Sequence, residues 1–434
     1  MSQGVQQSSS LRRTISRWEI VGLGINDIIG SGVYLLPAAA AALLGGASTL
    51  AVLVAGLAVA LLVLCFAEAA SHFDEPGGGY IYSREAFGPF VGFQVGWMTW
   101  LARIASIASL SNGLALATAY VWPAAAAGAP RVLIITAPLI VLTWINVVGV
   151  KAGARTAVGL VIAKTLPLVL FVGVGLFAMD WSRVSLLEKP PVANLGQAAL
   201  LLLFAYAGFE NTPAAAGEYR NPKKDVPIAM LVIIAFVTVI YSLVQLVSIG
   251  TLPGLAQAEA PLAEAARSFL GGGAALVMTV GAIISILGNI SNTILVGPRY
   301  LFALAIDGFG PRALARVHPR FQTPAVAIIT QSTLSLVLAL SGSFVQLAML
   351  SVIARLATYM GTAAAVPFLR RRFPQQPDQP PGFRLPGGPA IPIAALVLSL
   401  AFLASATWQN LVAGAIALLI GVAIYRFTPA DRTR

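Results

Sequence analysis

Twelve apolar stretches follow one another along this chain, each 18 to 32 residues long, enough to supply the about 20 that cross roughly 30 Å of hydrocarbon as a helix. Their cores run 18–42, 48–71, 90–121, 131–149, 154–179, 195–217, 226–250, 274–304, 324–341, 345–369, 389–407 and 409–426. No single motif constrains the fold as much as this repetition does. Inside lipid a helix satisfies every backbone polar group within its own segment, so the pattern predicts an all-α integral membrane protein with 12 transmembrane helices. Composition agrees, because 10% of the residues are charged, against about 25% in a soluble domain. The first stretch lacks a small-residue cleavage site at a suitable distance and reads as a retained span rather than a signal peptide.

The charges orient the array. With the N-terminus placed inside, 19 of the 27 Lys and Arg residues fall on the cytoplasmic side and 4 outside, while Arg103, Lys164, Arg299 and Arg355 lie within spans. This is a positive-inside distribution. It predicts a multi-pass protein of the cytoplasmic membrane with both termini in the cytoplasm. The net charge of +11 is then a topological bias. Spread over many short loops without an aromatic platform, it does not describe a nucleic-acid surface. Cys65 is the single cysteine and there are two histidines, which rules out a disulfide framework and a multi-cysteine metal site. No HExxH, GxSxG or paired acidic motif is present, so the expectation is no metal, no cofactor and no enzymatic site. A channel would repeat polar residues on several spans, whereas here the charges are isolated.

Two spans break their own pattern. Gly30-Ser31-Gly32 lies midway along helix 1, and Phe204-Ala-Tyr-Ala-Gly-Phe-Glu210 midway along helix 6. Non-helical backbone at membrane depth is tolerated only where it lines a cavity or is buried in protein. Helices 1 and 6 are five apart, so if helices 1–5 and 6–10 are repeats, an odd count makes them inverted. Breaks in corresponding helices of inverted repeats point to a transport site near the midplane.

The residues at these breaks carry a family resemblance. Ile29-Gly-Ser-Gly-Val-Tyr-Leu-Leu-Pro37 resembles the first-helix signature of the amino acid–polyamine–organocation permeases. So does Pro76-Gly-Gly-Gly-Tyr-Ile-Tyr-Ser-Arg-Glu-Ala-Phe-Gly-Pro89 after helix 2. Phe204 to Glu210, running on to Glu218-Tyr-Arg-Asn-Pro-Lys-Lys-Asp-Val-Pro227, is similar to helix 6 and its exit. Pro298-Arg-Tyr-Leu-Phe-Ala-Leu-Ala-Ile-Asp-Gly-Phe-Gly-Pro311, with His318-Pro319 and Thr323-Pro324, resembles the junction of helices 8 and 9. Together the four cover helices 1 to 10 in order. The resemblance implies a LeuT-like fold with a 5+5 inverted repeat, broken helices 1 and 6, two extra helices, and alternating access.

The chemistry of the breaks suits a zwitterion. Helix 1 runs inside to outside, so its outer half begins near Ser31 and points free amides at the midplane, which suits a carboxylate. Helix 6 runs the other way, and the carbonyls ending its outer half near Phe204 to Tyr206 suit an ammonium group. The inner half of helix 1, ending near Asn26 to Ile28, is expected to add carbonyls. The expected substrate is an amino acid held by Asp27, Gly30, Ser31, Gly32, Phe204, Ala205, Tyr206 and Gly208, with Phe204 and Tyr206 as either an aromatic lid or lipid-facing or packing aromatics.

A charge at mid-span costs roughly 3 kcal/mol on insertion scales and needs a partner or a task. Lys164 lies about ten residues into helix 5. Burial disfavours its cation, so it can take up and release a proton. The resemblance implies that such a lysine replaces a sodium ion and reaches the Asn26 to Ile29 carbonyls. That makes the transporter sodium-independent, either proton-coupled or an exchanger of amino acids or amines. A structural Lys164 paired with Asp27 is the other reading. Asp27 pairs with Lys164 or holds the substrate amine. Glu210 is a second proton site, a gate, or a carboxylate that starts the inner half-helix. Arg355 bridges to an acid on helix 1 or 6 or fixes packing. Arg103 lines the pocket or bonds to carbonyls of neighbouring helices. Glu68, His72, Asp74 and Glu75 form either an inner gate or a solvated cluster, and His318 is structural. The expected domains are a tail 1–17, a ten-helix core 18–369, a linker 370–388, helices 11 and 12 at 389–427, and a tail 428–434. Helices 11 and 12 are expected outside the core, with a homodimer contact as one use for them.

Overall fold

The computed structural model describes residues 15–73, 78–149, 154–185, 189–374 and 383–428, without the side chains of 154–160 and 214–218. Asp74, Glu75, Lys151, most of both tails and residues 375–382 of the linker lie outside the described residues. The described residues are helical and contain no strand beyond one bridge between Ile15 and Tyr219. In order the helices are α1 (Arg17–Ile28), α2 (Ser31–Leu44), α3 (Ser48–Ser71), α4 (Gly78–Phe87), α5 (Pro89–Ala119), α6 (Gly128–Val148), α7 (Ala154–Ala178) and α8 (Val192–Tyr206). A 3₁₀ segment, Phe209–Glu218, leads to α9 (Pro222–Thr251), α10 (Pro261–Leu270), α11 (Gly272–Ile306), α12 (Ala325–Ser341), α13 (Phe344–Arg372), α14 (Ala390–Ala404) and α15 (Trp408–Phe427).

Nine stretches among the described residues are long and apolar enough to cross a membrane, and Ala325–Ser341 and Ala390–Ala404 are shorter apolar helices. One of the nine, Ser31–Ser71, runs through α2 and α3 over 41 residues. At 1.5 Å per residue that is about 60 Å, twice the thickness of the hydrocarbon. The chain turns within it at Gly45, whose φ of 55° suits glycine.

The centre of the bundle is the pair α5 and α13. Hydroxyls stitch them together: Thr99 to Thr358 at 2.6 Å, Ser106 to Ser351 at 2.8 Å, and Ser109 donating to the Phe344 carbonyl at 2.8 Å. Small polar residues let membrane helices approach closely and bond across the contact. The interrupted helices lie against this pair and against α3, α7, α9 and α11. At the periphery α14 packs on α13 and α3, and α15 packs on α5 and α13. Gly421 is the one residue of α15 that is buried, and Trp97 Nε1 donates to the Ala417 carbonyl at 2.9 Å. The exposed faces of α6 and α15 carry Ile140, Trp144, Ile416 and Leu419, as a lipid-facing surface requires.

Candidate functional site

The first break is two residues wide. α1 ends at Ile28, Ile29 is extended, Gly30 adopts φ −126° and ψ −142°, and α2 starts at Ser31 with no side-chain cap. The first-turn amides of α2 thus start without an intrahelical or side-chain partner. The Ser31 hydroxyl is buried and has no hydrogen-bond partner among the described residues. The second break follows Tyr206: Ala207 is extended and Gly208 has φ 131°, open to glycine and strained for other residues. A Cβ on Gly32 would stand 2.6 Å from Ala205 Cα, and one on Gly208 would stand 3.0 Å from the Asp27 carbonyl carbon. The glycines therefore let the two breaks touch. Past Glu210 the chain continues as a 3₁₀ helix containing Pro213 rather than as a regular α-helix.

The end of α1 is capped by other helices. Lys164 Nζ, fully buried on α7, donates to the carbonyls of Asn26 at 3.0 Å and Ile29 at 3.2 Å. Ser285 of α11 also donates to Ile29 at 2.9 Å, and Asn289 Nδ2 donates to Asp27 O at 2.7 Å. Tyr241 of α9 donates to Ile28 O at 3.3 Å and to Ala205 O at 3.1 Å, spanning both breaks. The carbonyls ending the inner half of helix 1, Asn26, Asp27 and Ile28, thus each accept from a side chain. Lys164 does not pair with Asp27, for no carboxylate among the described residues comes within the 4.0 Å of an ion pair. The Asp27 carboxylate accepts instead from Asn211 Nδ2 at 2.5 Å and from Asn292 Nδ2.

Glu210 folds back onto the second break. Its Oε2 accepts from the Gly208 N–H at 2.9 Å and from the Tyr359 hydroxyl at 3.3 Å. Its Oε1 accepts from Arg103 Nη2 at 3.1 Å and from Arg355 Nη1. All three charged side chains are at most 6% exposed. Arg355 thus bridges to the helix-6 acid, one of its two readings. The Arg103 guanidinium bonds Glu210 and Asn211 Oδ1. Arg355 is held further by Ser106 at 2.7 Å and Ser351 at 3.3 Å.

Phe204 is buried edge-on against Phe344 at 6.0 Å, and the Tyr206 hydroxyl donates to Val52 O at 3.1 Å. Both therefore pack between helices at the break. Glu68 is 1% exposed, so it is not part of a solvated cluster. It accepts from Arg370 Nε at 2.5 Å, Arg370 Nη2 at 2.7 Å and the Leu385 N–H at 2.9 Å. The His318 ring stacks on Phe321 and its Nδ1 accepts loop amides at 3.3 Å, a structural role. Sequence reasoning missed Asn211, Tyr241, Ser285, Asn289, Asn292 and Tyr359. The available signal was the run Gly288-Asn289-Ile-Ser-Asn292, polar residues in a span where each needs a partner.

A family model described as amino acid permease matches residues 15–424. This chain belongs to the amino acid permease family. The permease is 30% identical to the branched-chain amino acid permease BcaP of Bacillus subtilis (strain 168), across 96% of this chain and 93% of the relative. It is 30% identical to that organism's methylthioribose transporter, across 96% and 94%. It is also 30% identical to its serine/threonine exchanger SteT, across 96% of both. The motifs and these matches place the permease in the amino acid–polyamine–organocation superfamily, as a multi-pass membrane protein and a transporter rather than an enzyme.

Proposed function

We propose that this permease is a secondary active transporter that carries amino acids across the cytoplasmic membrane by alternating access, independent of sodium and coupled to protons through Lys164. One observation carries the reading: Lys164 Nζ caps the end of α1 at the first break through two carbonyls and no carboxylate. A neutral amine has two N–H groups for two acceptors, whereas an ammonium has three and leaves one unmatched. Protonation therefore changes the balance of interactions at the hinge of helix 1, which is what coupling to a conformational change requires. Glu210 suits a proton carrier less well, because two guanidinium groups hold its carboxylate.

The substrate carboxylate is assigned to the first-turn amides of α2 and the Ser31 hydroxyl, and its ammonium to the end of α8. Gly30, Gly32, Ala205 and Gly208 bring the backbones together, and Phe204 and Tyr206 frame the break. Twelve crossings are proposed, with α1–α7 and α8–α13 as two inverted repeats of five spans, α14 and α15 outside them, and both termini cytoplasmic; the nine long apolar stretches among the described residues, one of them two helices long, and the two shorter apolar helices support the count. The α15 face is available for a second copy.

Uptake into proteoliposomes tests the coupling. A pH gradient, acid outside, is expected to drive accumulation in sodium-free buffer. Lys164→Ala is expected to abolish that accumulation while exchange across the membrane persists. Pure exchange is the second reading, favoured by the similarity to a serine/threonine exchanger. It holds if uptake requires amino acid inside the vesicle and ignores the pH gradient.

A further inference from the structure

Glu210 and Asp27 are the two acids at the breaks, and their oxygens are already occupied. Glu210 Oε1 faces two guanidinium groups, from Arg103 and Arg355, and its Oε2 holds the Gly208 amide and the Tyr359 hydroxyl. Asp27 gives one oxygen to Asn211 and the other to Asn292. Two cations, Arg103 and Arg355, stand against Glu210, both at most 5% exposed. Arg103 Nε is buried without a partner among the described residues, so the set has a surplus of donors. A second positive charge entering here loses its hydration, finds no free carboxylate and meets like charge. The arginines are also fixed in place. They project from α5 and α13, the pair joined by Thr99–Thr358 and Ser106–Ser351, and Arg355 is braced by both of those serines.

Building on the amino acid site proposed above, we infer that the Arg103–Glu210–Arg355 triad sets specificity. It neutralises in advance the carboxylate at the second break, so the permease accepts amino acids with no positive charge beyond the α-ammonium and rejects lysine, arginine and polyamines. The two arginines act through Glu210 and are positioning residues.

The test is ligand-induced thermal stabilisation and equilibrium binding of the purified full-length protein with leucine, serine, glutamate, lysine, arginine and putrescine. The wild type is expected to bind one or more of the first three and none of the last three. Arg355→Met and Arg103→Met each release Glu210 from one cation, and lysine or arginine affinity is expected to rise on the order of 30-fold, the scale of one desolvated charge contact. Adding Glu210→Gln to either variant is expected to remove the gain. Wild-type binding of lysine or putrescine within about threefold of the best neutral amino acid overturns the specificity and leaves the site standing. So do variants that keep neutral binding yet gain nothing for lysine. If none of the amino acids binds, the site assignment fails and the specificity fails with it. The wild-type arm decides even where a variant does not insert.

Discussion

At the scale of single residues, space and hydrogen-bond number decide what each break tolerates. Gly32 faces Ala205 Cα and Cβ at 2.6 Å from where its own Cβ would be, and neither atom can swing away. Gly32→Ala is therefore expected to cost about 1–3 kcal/mol by overpacking and to abolish amino acid binding, read by thermal unfolding and titration. Gly22, also helical, has nothing within 4 Å of a built Cβ. Gly22→Ala is expected to be neutral or to stabilise by up to about 1 kcal/mol, and an equal loss in both variants would argue against α2–α8 contact at the break. Asn289 poses a different demand. Its amide satisfies the Asp27 carbonyl, so Asn289→Leu strands a backbone acceptor and is expected to cost about 1–3 kcal/mol.

At the scale of elements, the C-terminal ends of α3 and α13 are joined through the chain that follows α13. Arg370 grips Glu68 with two N–H groups and donates to the Gly388 carbonyl at 2.5 Å, while Ser71 holds the Phe383 carbonyl at 3.1 Å. Arg370→Met leaves Glu68 buried and uncompensated, which is expected to cost about 3–5 kcal/mol. The double replacement Arg370→Met with Glu68→Leu is expected to recover most of that loss, and a thermal-shift cycle of the four proteins checks it. His72, one residue past α3, adds a pH dependence. Burial lowers its pKa below the ordinary 6.5. Its contribution to stability is therefore complete above about pH 6.5 and is lost as pH falls through the depressed value. His72→Gln is expected to flatten the melting temperature on the acid side of neutrality, and an unchanged acid limb would count against this.

At the scale of the whole molecule, topology is the quantity to measure. The proposed twelve crossings would put Ser182, exposed after α7, and Arg320, exposed before α12, on opposite faces of the membrane. In a Cys65→Ser background, Ser182→Cys is expected to react with an impermeant maleimide from outside intact cells, and Arg320→Cys only after lysis. Labelling of both from one side would refute the count. Cys65 itself is buried in α3, where serine is close to it in size and can turn its hydroxyl to the carbonyl one turn back, so the replacement is expected to leave the fold intact.

The sequence alone determined the helical class, the extent of most apolar helices and the position of both breaks. These follow from local causes: apolar length, and backbone that only glycine-rich segments permit. Tertiary structure decided the partners of the buried charges. Helices that are apolar all round carry no hydrophobic stripe to fix their rotation, so one sequence could not aim Arg103 and Arg355 at Glu210. For the same reason it could not bring Asn289 to a carbonyl 262 residues away. Only the packed bundle fixes those rotations, because each buried donor must meet an acceptor that another helix supplies.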